Sequence, residues 1–116
     1  MKTPTIDDIL AAAAAHYGVE VLDLRSRRRA HSRPRHVAMY LAKRLTELSF
    51  PAIGRAIGGR DHTGIMWGFR RIKDLLVTDP ELDAAVLAIQ YSLLSSLYAR
   101  SASIQPMPPS QQVAPC

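Results

Sequence analysis

The chain has 116 residues, 47% of them hydrophobic and 22% charged, with a net charge of +5. That length suits one domain with a tail, the apolar share excludes a wholly disordered chain, and a single cysteine, Cys116, excludes an intramolecular disulfide. A cytosolic setting fits this cysteine usage: no secretory signal pattern opens the chain and no apolar run is long enough to cross a bilayer.

Charge distribution says more than net charge. Residues 25–73 hold thirteen Lys/Arg against two acids, Glu47 and Asp61, whereas residues 1–24 and 74–116 each pair four acids with one base. A positive centre between acidic flanks is the footprint of a polyanion partner.

In chain order, Thr5 is placed to cap a first helix, with Asp7 and Asp8 in its first turn favouring the dipole. Ile6, Ile9, Leu10, Ala13 and Tyr17 recur at helical spacing until Gly18 stops the helix. Val19, Val21, Leu22 and Leu24 read as a short apolar turn or helix, and the aperiodic basic residues 25–33 as a loop. Pro34 suits the first turn of a long helix with Val37, Ala38, Leu41, Ala42, Leu45 and Leu48 as its stripe. Ser49 is a cap for the next helix, Pro51 sits near its first turn, and Ile53, Ala56 and Ile57 are its buried side. Gly58-Gly59 make a turn, Asp61 or Thr63 caps the following helix, and Ile65, Phe69, Ile72 and Leu76 face inward. Asp79-Pro80-Glu81 opens a last helix with Leu82, Val86, Ile89, Leu93 and Leu97 on one face, and the Ser/Gln/Pro-rich stretch from Ser101 reads as disordered.

No strand pattern survives. The expected fold is all-α: a small helical bundle containing a helix-turn-helix over roughly 49–77, preceded by a basic loop and followed by a C-terminal helix and a disordered tail. The expected division is a DNA-binding domain over 1–78, an amphipathic helix over 79–100 and a tail over 101–116.

Residues 6–76 resemble the C-terminal DNA-binding domain (domain IV) of the bacterial replication initiator DnaA. The resemblance runs through Arg33-Pro34-Arg35, Ala38-Met39-Tyr40-Leu41, Leu45-Thr46, Ser49-Phe50-Pro51 and Ile53-Gly54, and ends on Gly58-Gly59-Arg60-Asp61-His62-Thr63. It implies that Asp61, His62 and Thr63 face bases in the major groove, with Phe50 and Pro51 against the groove. It implies that the arginine loop enters the neighbouring minor groove through Arg27, Arg28 or Arg29, with Arg29 and then Arg28 the leading candidates. Phosphate contacts are implied for Arg33, Arg35, His36, Lys43, Arg60, Gly64, Trp67 and Arg71. Elementary chemistry agrees: a carboxylate accepts from cytosine N4, a threonine methyl meets the thymine methyl, and arginine favours the negative potential of a narrow A·T-rich minor groove.

Three departures from the family pattern stand out. Gly64 replaces a second threonine, Trp67 stands where a smaller polar residue or histidine is expected, and the arginine loop reads as about two residues shorter. Trp67 has two open readings, partial core or an exposed functional group. The initiator's ATPase module has no counterpart: no Gly-x-x-x-x-Gly-Lys-[Ser/Thr] occurs, so no nucleotide or other cofactor is expected.

Other chemistries fit poorly. His16, His31, His36 and His62 match no common zinc spacing. Asp61 and His62 are adjacent on a helix, diverge by about 100°, and lack a third partner for acid–base work, so an enzyme is not expected. No aromatics interleave the basic run as single-strand readers prefer. The leading expectation is a stand-alone, site-specific duplex-DNA binder acting as a transcription regulator, from a bacterium or a prophage-like element, in the cytoplasm on the nucleoid. The alternatives are a replication-control protein occupying initiator-type boxes, and an adaptor that holds a protein partner or a second copy through residues 80–100.

Overall fold

The computed structural model describes residues 4–26 and 31–101. It is all-helical, with no strand among the described residues: α1 (Ile6–Tyr17), α2 (Val21–Arg25), α3 (Ser32–Leu45), α4 (Phe50–Ala56), α5 (His62–Leu75) and α6 (Pro80–Ser101).

Local chemistry sets the boundaries. Thr5 and Asp8 form a reciprocal capping box, the Asp8 amide donating to Thr5 Oγ1 at 3.1 Å and the Thr5 amide to Asp8 Oδ2 at 3.0 Å. Gly18 ends α1 in the left-handed conformation, φ 68°. Ser49 accepts from the Ala52 amide at 3.3 Å to start α4, and Asp79 accepts from the Leu82 amide at 3.0 Å to start α6.

Two expectations need correction. The loop expected over 25–33 is corrected at both ends, because Arg25 ends α2 and Ser32 and Arg33 already lie in α3. Pro34 is the third residue of α3, where its missing N–H removes a donor with no intrahelical partner anyway. The stripe of α3 also stops before Leu48. Thr46 Oγ1 donates back to the Ala42 carbonyl at 2.6 Å and accepts from the Leu48 amide at 3.2 Å, so the chain leaves the helix and Leu48 is exposed. The expected minor-groove residues Arg27, Arg28 and Arg29, and the tail beyond Ser101, lie outside the described residues.

The core is one cluster, and α3 is its hub, packing on α1, α2, α4, α5 and α6. Val37, Ala38, Met39, Leu41 and Ala42 of α3 are buried with Ile9, Leu10 and Ala13 of α1, Ile53 and Ile57, and Ile65 and Ile72 of α5. Leu82, Val86, Ile89 and Leu93 close the cluster from α6, which lies chiefly on α1. Gly68 lets α5 approach α3: a Cβ there would stand 2.6 Å from Met39 Sδ and 3.1 Å from His36 Cδ2.

Candidate nucleic-acid interface

The helix-turn-helix consists of α4, the turn 57–61 and α5. Gly58 and Gly59 occupy the turn at φ 73° and 70°, conformations that side-chain-bearing residues rarely adopt. The Arg60 amide donates to the Gly54 carbonyl at 2.7 Å, and Gly54 has no room for a side chain, since a Cβ would lie 2.1 Å from the Arg60 carbonyl oxygen. The turn is therefore folded tightly onto α4, and this fixes where α5 begins.

Asp61 is the N-cap of α5, its Oδ2 accepting from the Thr63 amide at 3.4 Å. Hydrogen bonding from Thr63, chiefly its side chain, holds the exposed Asp61 carboxyl below its ordinary range. The ionised group is an acceptor only, with lone pairs beyond the one used in capping. His62 Nδ1 lies 3.3 Å from Asp61 Oδ1. Asp61, His62, Thr63 and Gly64 are all exposed, so the first turn of α5 presents a carboxylate, an imidazole and a hydroxyl to solvent.

Farther along α5, Thr63, Trp67 and Arg70 recur at helical spacing on the exposed side, with Arg71 beside them. Trp67 is 58% exposed and is not core; its indole meets the His36 ring edge-on, centroids 5.1 Å apart. His36 is half-buried, and burial followed by the Arg35, Arg60, Arg71 and Arg33 charges pushes its pKa down to about 4. At neutral pH it can offer a phosphate only a neutral N–H. The same electrostatics show that cations from α3, the turn and α5 converge here. Sequence reasoning passes over Arg70, although its spacing of seven from Thr63 is a readable signal.

Phe50 is half-buried and part of an aromatic stack. Its ring meets Phe69 edge-on at 5.8 Å, Phe69 stacks on Tyr40 at 5.4 Å, and Lys43 Nζ lies 4.6 Å from the Phe50 centroid. Lys43 also donates to the Leu48 carbonyl at 3.3 Å, so this cation is held at the junction of α3 and α4. Pro51 is exposed beside it.

Three expected phosphate contacts are engaged within the protein. Arg35 is only 6% exposed, and its Nη1 donates to the Ser26 carbonyl at 3.0 Å. Arg60 is half-buried and its Nη2 donates to the same carbonyl. Arg33 Nη1 stands 3.8 Å from Asp79 Oδ2, at the start of α6. The sequence marks these residues as cationic, but their orientation follows from packing. Among the described residues, no group of three or more His, Cys, Asp or Glu is assembled that could hold a metal ion. No described helix is long and apolar enough to cross a membrane.

This arrangement can be compared with known proteins. Residues 6–72 match the family model described as the bacterial dnaA protein helix-turn-helix. The chain is 52% identical over 93 residues to the chromosomal replication initiator protein DnaA of Sphingopyxis alaskensis, covering 78% of this chain and 20% of that protein. The DnaA of Caulobacter sp. strain K31 is 53% identical over 83 residues, covering 70% and 17%. The DnaA of Zymomonas mobilis is 44% identical over 84 residues, covering 71% and 17%. The chain thus spans about a fifth of the length of the relatives it matches. With its capped, solvent-facing start of α5 and its matched region running from α1 through most of α5, the chain carries a DNA-binding helix-turn-helix module and belongs to the bacterial DnaA helix-turn-helix family.

Proposed function

We propose that the chain binds duplex DNA at defined sites and acts in the control of replication initiation by occupying boxes of the initiator's kind. The observation that carries this reading is the first turn of α5. Asp61, His62 and Thr63 are exposed there on a helix start held by the Gly54–Arg60 turn. Recognition helices meet base edges with their N-terminal residues. Asp61 accepts from a cytosine amino group, Thr63 packs its methyl on thymine, and His62 reads an adjacent base. Pro51 and the outer edge of Phe50 border the groove. Lys43, Arg71 and Arg70 supply phosphate contacts, joined by the Gly64 backbone, the Trp67 indole N–H and the neutral His36. The basic loop, with Arg27, Arg28 and Arg29, takes the neighbouring minor groove. Such work places the chain in the cytoplasm, on the nucleoid.

The shared name of the relatives, chromosomal replication initiator, favours replication control over the transcription role first expected from the sequence. The test is selection of bound duplexes from a random library at about physiological salt, because affinity depends steeply on salt. An enriched motif that maps to replication origins supports the reading; enrichment at promoters alone, or no motif, overturns it.

The outer face of α6 favours a second reading, in which two copies associate. Leu87, Tyr91, Leu94 and Tyr98 are exposed at helical spacing, and residues 84–99 contain no charged side chain. An uncharged face selects an uncharged partner, and the same face of a second copy is one, in a two-fold contact. Sedimentation at rising concentration tests this: a monomer throughout, or a dimer unaffected by Tyr91→Glu, overturns it.

A further inference from the structure

We propose that Arg35 and Arg60 are positioning residues that lock the root of the basic loop to the helix-turn-helix, fixing the spacing between the loop and the start of α5 on DNA. The proposal rests on the reading that both elements contact the duplex.

Ser26 is the last described residue before 27–30. Its carbonyl accepts from Arg35 Nη1 of α3 at 3.0 Å and from Arg60 Nη2 of the turn, 34 residues away in sequence. A carbonyl oxygen has two lone pairs and serves both donors. Ser26 is itself held, its Oγ donating to the Asp23 carbonyl at 2.7 Å and its amide to the same oxygen at 3.1 Å. On the other side, the Arg60 amide is bound to the Gly54 carbonyl at 2.7 Å, so the residue reaching toward the loop is anchored to α4. The turn also lies close to the end of α2, just before Ser26, since a Cβ on Gly58 would stand 2.9 Å from the Arg25 carbonyl oxygen. A continuous path thus runs from α4 through Arg60 to Ser26 and on through Arg35 to α3.

The acceptor the two guanidinium groups share is a neutral carbonyl, so this contact is set by geometry and not by pairing of charges. What a guanidinium adds is a rigid planar fork, which an ammonium lacks. Arg60 is also the residue immediately before the cap of α5. A shift of the loop root relative to the turn therefore shifts it relative to Asp61, His62 and Thr63. Bases read by the loop and bases read by α5 then belong to one site only at one separation.

The test uses Arg35→Lys and Arg60→Lys in the full chain, which keep the charge and remove the fork. Binding is measured on the selected duplex, on duplexes with the loop-contacted flank changed, on duplexes with that flank moved by one base pair, and on random DNA, across a salt series. Wild-type protein is expected to lose roughly tenfold on each altered flank, a typical penalty for a mismatched pair. Each lysine variant is expected to keep its discrimination at the α5-contacted pairs and its salt slope, while its flank and spacing preference falls below about threefold. Gly58→Asn probes the same joint from the turn side. Asparagine tolerates the left-handed backbone, its Cβ presses on the Arg25 carbonyl, both arginines remain, and the same selective loss is expected.

A variant that weakens every duplex equally, with the salt slope reduced by about one unit, is an ordinary phosphate contact and overturns the proposal. So do variants with wild-type flank preference and normal helicity. Wild-type protein showing no base preference anywhere overturns the DNA-site reading and this proposal with it, whereas full wild-type discrimination with unchanged variants overturns the clamp alone.

Discussion

Two exposed faces of this molecule stand in contrast. The first two turns of α5 show solvent Asp61, His62, Thr63 and Trp67; the outer face of α6 shows it Leu87, Tyr91, Leu94 and Tyr98. The α5 side chains stand on a backbone fixed by a cap, a two-glycine turn and the Gly54–Arg60 hydrogen bond, and Trp67 leans on His36. The α6 residues are exposed on a helix whose opposite side supplies the core. Polar groups that must meet a partner at hydrogen-bonding distance need such positioning, because hydrogen bonds weaken steeply with poor geometry. Apolar surface does not, because hydrophobic association is non-directional and follows area. α6, of 22 residues or about 33 Å, also outreaches the 12-residue α1 on which it chiefly packs.

The sharpest way to break this contrast is to remove the support beneath α5. Gly54→Ala would put a Cβ 2.1 Å from the Arg60 carbonyl oxygen. We expect a loss of about 3 kcal/mol, the upper end for overpacking, in denaturant unfolding; a loss under about 0.5 kcal/mol would mean that the turn relaxes freely.

Substituting the presented groups comes next. His62→Ala and Thr63→Ala should each cost about 1–3 kcal/mol at the contacted base pair while leaving random DNA unchanged. Equal weakening on specific and random duplexes would remove their assigned roles. Lys43→Ala should weaken all duplexes alike and flatten the salt slope by about one unit. It also loses the Leu48 carbonyl bond and the Phe50 ring contact, so about 1 kcal/mol of stability should go with it.

Acid sharpens the comparison from another direction. The folded pKa of His36, about 4, lies below its ordinary 6.5, so the unfolded chain binds the proton more readily. Stability should therefore be whole above about pH 6.5 and fall progressively as pH drops toward 4. His36→Gln should shallow that fall in melting curves taken across the window, and an unchanged pH profile would contradict the shift. The smallest effect belongs to α6: Tyr91→Ser should change monomer stability by no more than about 0.5 kcal/mol, as for other surface sites. A larger loss would show that the face is already covered.

Much of the fold is legible because its signals are local. Thr5, Ser49 and Asp61 act as caps where a short polar side chain precedes an apolar period, and Gly18, Gly58 and Gly59 fall where the backbone needs positive φ. The buried faces of α4 and α6 follow from i, i+3, i+4 spacing alone. Leu48 is the informative miss. It keeps the helical period of α3, but the Thr46 hydroxyl takes the chain out of the helix first, a competition between side chain and backbone that periodicity does not register.

The candidate site divides along the same line. The sequence alone determines the family motif, the identity of the groups that begin α5 and the concentration of positive charge in residues 25–73, because these depend on residue type and spacing. Only the tertiary structure decides what each cation does. Arg35, Arg60 and Arg33 carry the same charge as Arg70 and Arg71, but Arg35 and Arg60 turn to the Ser26 carbonyl and Arg33 to Asp79, while Arg70 and Arg71 are exposed. A guanidinium's role is set by which acceptor lies within its reach, and here those acceptors come from parts of the chain brought together by folding.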